Sequence, residues 1–216
     1  TRKLFEICRQ RGIPIFTFVN KFDRPARDPL AIIDELEQTL QLHVCAMNWP
    51  LGDGRDFRGV YDRQKRQAHF FERTPGGAYR APVSVHDVSD PQVRGQLSEQ
   101  AYDTLIEHLA MLDAASEPLD PALVRTGDMT PVFFGSAINN FGVQLLLDAF
   151  LEYAPPPHPR RSNKGLIAPS HPQFSGFIFK IQSNMDPHHR DQIAFLRICS
   201  GVFTRDMKEI GRASCR

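Results

Sequence analysis

Between Ile13 and Val19 the chain runs nearly without a polar residue, and this run is rich in β-branched and aromatic side chains, which predicts a strand buried on both faces of a parallel sheet. Ahead of it, Leu4, Phe5 and Cys8 alternate with Arg2, Lys3, Arg9 and Gln10 in the manner of an amphipathic helix. Behind it, a loop with Pro25 and Pro29 leads into Leu30, Ile33, Leu36 and Leu40, which recur at helical spacing with Asp34, Glu35, Glu37 and Gln38 between them. The pattern shortens from His43 to about Ser89. Val44, Ala46 and Trp49, then Gly59 to Asp62 and Ala68 to Phe71, punctuated by Gly52, Gly54, Pro75, Gly76 and Gly77, predict short antiparallel strands. From Pro91 to Glu117 a stripe of Leu97, Ala101, Leu105, Leu109 and Leu112 restores helical spacing, so that residues 43–128 read as an α+β insertion. Thr130 to Phe134 predicts a second buried strand, and Gly142 to Tyr153 a helix carrying Val143, Leu146, Leu147 and Phe150.

A proline run, Ala154 to Pro159, passes into polar residues and marks residues 154–172 as a linker between two domains, residues 1–153 and 173–208. Past it, Phe174 to Gln182 and Ile193 to Cys199 predict two strands that open an all-β barrel. Composition adds little to this outline: with 41% hydrophobic and 24% charged residues and a net charge of +1, the chain of 216 residues is globular rather than disordered. No run approaches the roughly 18 apolar residues of a membrane helix. The four cysteines show no C-x-x-C spacing, which excludes a zinc ribbon and fits a reducing cytoplasm. Thr1 opens inside a helical pattern, and residues 209–216 match a translated sequencing adapter; the chain therefore reads as a piece of a longer protein with an artefactual tail.

The chemistry sits at the ends of the two predicted parallel strands. Asn20-Lys-Phe-Asp23 follows the first, where an open α/β sheet binds its ligands. An Asn-Lys-x-Asp pattern suits guanine, because the carboxylate of Asp23 accepts from both the N1 hydrogen and the exocyclic amine of that base. Adenine lacks the first donor. Charge-assisted bonds of this kind contribute about 1.5 to 3 kcal/mol each. The Lys21 stem can cover a base face while the Asn20 amide braces the loop. Gly135-Ser-Ala137 follows the second strand, with the Ala137 N–H placed to donate to guanine O6 and Ser136 to hold the loop.

These motifs, with Trp49-Pro-Leu-Gly, Thr130-Pro-Val-Phe-Phe-Gly-Ser-Ala137 and above all the run from Gly176 to Asp191, resemble the translational GTPases across residues 1–208. Within them, the run from Gly176 to Gly201 is similar to the termination-factor branch, whereas elongation factor G and the tetracycline-resistance ribosomal protection proteins look different there. The resemblance implies an α/β fold: the C-terminal part of a P-loop-type GTPase domain with an inserted α+β subdomain, followed by the start of an all-β barrel. It also implies GTP or GDP as ligand, with Mg²⁺ in the complete protein, and a monomer in the cytoplasm. The implied partners are the ribosome, through its rRNA and proteins, and a class-I peptide chain release factor, which GTP would help to remove after termination. An elongation factor G-like or ribosome-protecting translational GTPase, and a non-enzymatic nucleotide-binding or interaction module, are the alternatives.

No G-x-x-x-x-G-K-S/T occurs in the chain, so the phosphate-cradling loop and the Mg²⁺-binding hydroxyl are not among these residues, and the segment by itself is expected to be inactive. Asp56-Phe-Arg-Gly59 has the D-x-x-G form of a phosphate-sensing switch but follows the Asn-Lys-x-Asp loop instead of preceding it, and reads as a turn into a strand. His188 and His189 read as an exposed loop, Arg63, Lys65 and Arg66 as a solvated strand face, and Trp49, Phe70 and Phe71 as core of the insertion.

Overall fold

A computed structural model describes residues 2–72, 83–115, 117–163, 165–183 and 192–208. The chain divides into two compact units, Thr1–Pro155 and Pro156–Arg216. In the first, helix α1 (Arg2–Gln10) leads to strand β1 (Thr17–Val19), helix α2 (Pro29–Leu40) and strand β2 (His43–Ala46). Four strands follow, β3 (Asn48–Leu51), β4 (Gly59–Asp62), β5 (Gln67–Phe71) and β6 (Val83–Asp87). Helices α3 (Pro91–Gln96), α4 (Glu99–Ala115) and α5 (Pro121–Thr126) then return the chain to strand β7 (Met129–Phe134), and helix α6 (Val143–Tyr153) closes the unit.

The main sheet has three strands in the order β1-β7-β2, both pairs parallel. Its centre is β7, all six residues of which are buried. Strand β1 is shorter than the apolar run that predicts it and only half-buried, because among the described residues it pairs with β7 alone and lies at the edge of the sheet. A second correction concerns β2. The expected antiparallel insertion begins at His43, yet His43 to Ala46 lie parallel to β7, with Val44 beside Thr130 and Ala46 beside Val132. The chain leaves the main sheet only at Asn48, where β3 opens an antiparallel sheet in the order β3-β4-β5-β6.

Three helices start on the same device. Asp28, Asp90 and Asp120 each precede a proline and accept a hydrogen bond from the backbone N–H two residues on, at Leu30, Gln92 and Ala122, which satisfies an otherwise orphaned donor. The stripe on α4 buries Leu105, Leu109 and Leu112. These side chains join Trp49, Val60, Ala68 and Phe70 of the antiparallel sheet, Ala46, Val132 and Phe134 of the main sheet, and Phe22 of the loop after β1 in one continuous core. The insertion therefore does not stand apart from the sheet it interrupts: Trp49, 1% exposed, meets Phe134 edge-on with ring centroids 5.2 Å apart. Phe71, also read as insertion core, is half-buried and stacks on Phe141 at 4.8 Å.

In the second unit, strands β8 (Arg160–Ser162) and β9 (Gly165–Ile167) form a hairpin inside the stretch expected to be a linker. Strands β10 (Ser175–Ser183) and β11 (Gln192–Ser200) pair antiparallel as expected from their apolar runs. His188, His189 and the tail from Glu209 to Arg216 lie outside the described residues. Among the described residues no helix is long and apolar enough to cross a membrane.

Candidate functional site

Thr17 pairs with Val132 and Val19 with Phe134, so the segments leaving the carboxyl ends of β1 and β7 emerge side by side. The pairing continues into both loops. Gly135 N–H donates to Val19 O at 3.1 Å, and Phe22 N–H donates to Gly135 O at 3.1 Å. Position 135 needs glycine on steric grounds, since a Cβ there would lie 2.2 Å from Phe141 O and 2.8 Å from the Phe18 ring. Beyond it, Ser136 and Phe141 exchange N–H···O bonds of 2.9 Å in both directions, which closes residues 136–141 into a tight turn.

Side chains then knit the two loops together. Asn20 Oδ1 accepts from Lys21 N–H at 2.8 Å and from Ala137 N–H at 2.9 Å, so one carboxamide oxygen spans both. Lys21 takes a positive φ of 74°, a backbone state that costs a non-glycine residue energy and persists where neighbouring bonds determine it. Ser136, fully buried, donates its hydroxyl to Asp23 Oδ1 at 2.6 Å and accepts from Asn139 Nδ2 at 2.9 Å. The amide donor fixes the hydroxyl hydrogen on Asp23. The carboxylate of Asp23 is thereby held half-buried at the sheet edge as an acceptor.

The structure thus gathers Asn20, Asp23, Ser136 and Ala137 into one hydrogen-bonded cluster, with Lys21 exposed on the same loop. Ala137 differs in detail from its expectation, because its N–H is engaged by Asn20. Asn139 also belongs to the cluster, and in the sequence only its nearness to Ser136 points to it. A groove of about 440 Å³ lies toward α2, between Lys21, Arg24, Arg27, Ile32, Glu35 and Leu36, and neither Asp23 nor Ser136 lines it. Asp56 ends a short 3-10 turn and Gly59 begins β4, so the D-x-x-G run is a strand entry.

Residues 1–156 match the family described as Elongation factor Tu GTP binding domain. The chain belongs to that family. Beyond this GTP-binding domain, residues 173–212 match a second family, Elongation factor G domain 2, so the α/β part is followed by the start of an all-β domain. Among curated relatives, the chain is 53% identical over 207 residues to a peptide chain release factor 3 from Gloeobacter violaceus, covering 96% of this chain and 39% of that protein. A second release factor 3, from Trichodesmium erythraeum, is also 53% identical, with 96% and 38% covered. The chain spans about two fifths of the length of these relatives. A crystal structure of a protein from Thermus thermophilus shares the fold with a TM-score of 0.60 at 22% identity, covering 93% of this chain and 29% of the other.

Proposed function

We propose that this segment supplies the guanine-reading loops of a translation termination factor that uses GTP to promote dissociation of a class-I release factor from the ribosome. The observation that supports base reading is the fixed carboxylate of Asp23. Ser136 occupies one lone pair of Oδ1, and the remaining acceptor positions suit the paired N1 and exocyclic amine donors of guanine. Asn20 holds the loop, the Lys21 stem covers one face of the base, and Ala137 closes the edge. Adenine offers no donor at N1, so the same carboxylate would meet a lone pair. Mg²⁺ and the phosphates call for a phosphate loop, and this chain carries none. The names of the relatives support termination over an elongation-type role, and a monomer acting on ribosomes in the cytoplasm fits them.

The test of base reading is Asp23→Asn in a full-length factor of the family with this segment in place. The hydroxyl of Ser136 still needs an acceptor and keeps the amide oxygen, which turns the new NH₂ toward the ligand. Guanine then loses one charge-assisted bond and meets donor against donor, a loss of about 3 to 5 kcal/mol, or about a hundredfold to a few thousandfold in affinity. Xanthine carries a carbonyl in place of the amine, so preference should swing from GDP to XDP in competition binding. An unchanged GDP preference would show that Asp23 does not read the base. For the biological step, the same protein should speed dissociation of a class-I release factor from terminated ribosomes in a GTP-dependent way; translocation without such an effect would refute the termination role.

A further inference from the structure

The loop that carries Asp23 is held from a second side, by the antiparallel sheet. Between β3 and β4 the chain turns through Gly52, Asp53 and Gly54. Gly54 N–H donates to Phe22 O at 2.8 Å and to Arg24 O at 3.2 Å. The two carbonyls belong to the residues on either side of Asp23, so a single N–H brackets the carboxylate-bearing residue. Asp53 Oδ2 accepts from Ala26 N–H at 3.0 Å, fixing the next stretch of the same loop. Phe57, 2% exposed, packs its ring 6.0 Å from that of Phe22, also 2% exposed.

Both glycines of the turn are required by geometry. Gly52 has φ +82° and a Cβ there would lie 2.4 Å from Asp56 O. Gly54 has φ +57° and its Cβ would come within 3.4 Å of Pro25 N. At Gly54 the 3.4 Å approach is an ordinary contact, and it is the positive φ that disfavours a side chain: relieving that strain would turn the peptide whose N–H holds Phe22 O and Arg24 O.

We infer that Asp53 and Gly54 are positioning residues for the base site: the turn they form in the inserted sheet sets where the Asp23 carboxylate stands. This rests on the base reading proposed above and adds to it a structural route by which movement of the insertion reaches the nucleotide. If the turn shifts, Phe22 O and Arg24 O shift with Gly54 N–H, and Asp23 between them moves off the position that matches the two guanine donors.

The readout is base discrimination, which general destabilisation does not move. Inosine diphosphate is GDP without the exocyclic amine, so the ratio of its Kd to that of GDP measures how well the carboxylate meets that donor. In a full-length factor carrying this segment, Gly54→Ala should reduce the ratio about fivefold and Asp53→Ala about threefold, while Asp53→Asn, whose amide oxygen still accepts from Ala26, should stay near wild type. Thermal midpoints of the same variants report folding independently. If Gly54→Ala does not fold, the Asp53 pair decides alone. Asp23→Ala is the reference: where it abolishes discrimination and the turn variants leave the ratio unchanged, the inference is overturned and the base reading stands. Where Asp23→Ala itself leaves the ratio unchanged, both fall. Equal ratios in Asp53→Ala and Asp53→Asn would likewise overturn the role of the Asp53 carboxylate.

Discussion

Asn48 offers a direct test of what holds the second site loop. Its side chain is fully buried, and it treats Phe134 as a strand partner would: Oδ1 accepts from Phe134 N–H at 2.7 Å and Nδ2 donates to Phe134 O at 3.1 Å. Phe134 is also fully buried and stands directly before Gly135 and Ser136. Replacing Asn48 by Leu keeps the branched shape and the number of heavy atoms, with somewhat greater bulk, but leaves both backbone groups without their partner. An unsatisfied buried group costs about 1 to 3 kcal/mol, so the pair amounts to about 2 to 6 kcal/mol, a large part of the roughly 5 to 15 kcal/mol that stabilises a domain. With a urea slope of about 2 kcal/mol per molar, the middle of the usual range, the midpoint should fall by about 1 to 3 M. Urea unfolding followed by the fluorescence of Trp49, the single tryptophan, buried against Phe134, measures this. Asn48→Ala should fall at least as far, since it adds a small cavity. A Leu variant with a midpoint within about 0.3 M of the parent would mean that the two Phe134 groups are satisfied otherwise, and the clamp would be refuted.

His69 on β5 should give the chain an acid-sensitive step. Burial lowers its pKa, outweighing the opposing charge of Asp62, and its Nε2 is buried with no hydrogen-bond partner among the described residues. The folded state therefore binds fewer protons than the unfolded chain, whose histidine titrates near about 6.5; the contribution is intact above that pH and is lost as pH falls through the folded pKa. Urea midpoints at pH 7.5 and 5.5 should differ less in His69→Gln than in the parent, and identical differences would refute the assignment. Isothermal titration of this 216-residue chain with GDP should show binding weaker than micromolar, because base contacts alone must offset the cost of immobilising the ligand; submicromolar binding would contradict it.

The two loops of the site were legible because a polar motif at the end of an apolar run is a strong signal: Asn20 to Asp23 and Gly135 to Ala137 stand out against β1 and β7. The orientation of β2 was not, since four residues such as His43 to Ala46 carry no record of whether their partner runs parallel; that is decided by β7, more than eighty positions away. The hairpin β8–β9 escaped for the opposite reason. Arg160, Arg161 and Ser162 are polar and exposed, so no apolar alternation announces a strand. The Asp-Pro pairs at Asp28, Asp90 and Asp120 cap helices, a local signal that the reading by apolar spacing did not use. Asn48 was not visible at all, because a buried asparagine that completes a strand has the same letter as one in a solvated loop.

What joins these observations is the residue that the base motif leaves unspecified. Phe22, the x of Asn-Lys-x-Asp, turns inward and is 2% exposed, edge-on to Phe134 at 5.3 Å and 6.0 Å from Phe57. Its N–H is bound to Gly135 and its C=O to Gly54, so one residue ties the β7 loop and the insertion turn to the motif. With Phe22 pinned in the core, its neighbours lie toward the surface: Lys21 is exposed and Asp23 half-buried. An apolar anchor between two polar residues lets the loop bond at its backbone and leave its side chains for a ligand. Burial of a phenylalanine contributes about 1.5 to 3 kcal/mol, comparable to one charge-assisted bond to a base. Preorganising Asp23 therefore draws on the same core that joins the inserted sheet to the main one, and the position of the carboxylate follows from the packing of both sheets.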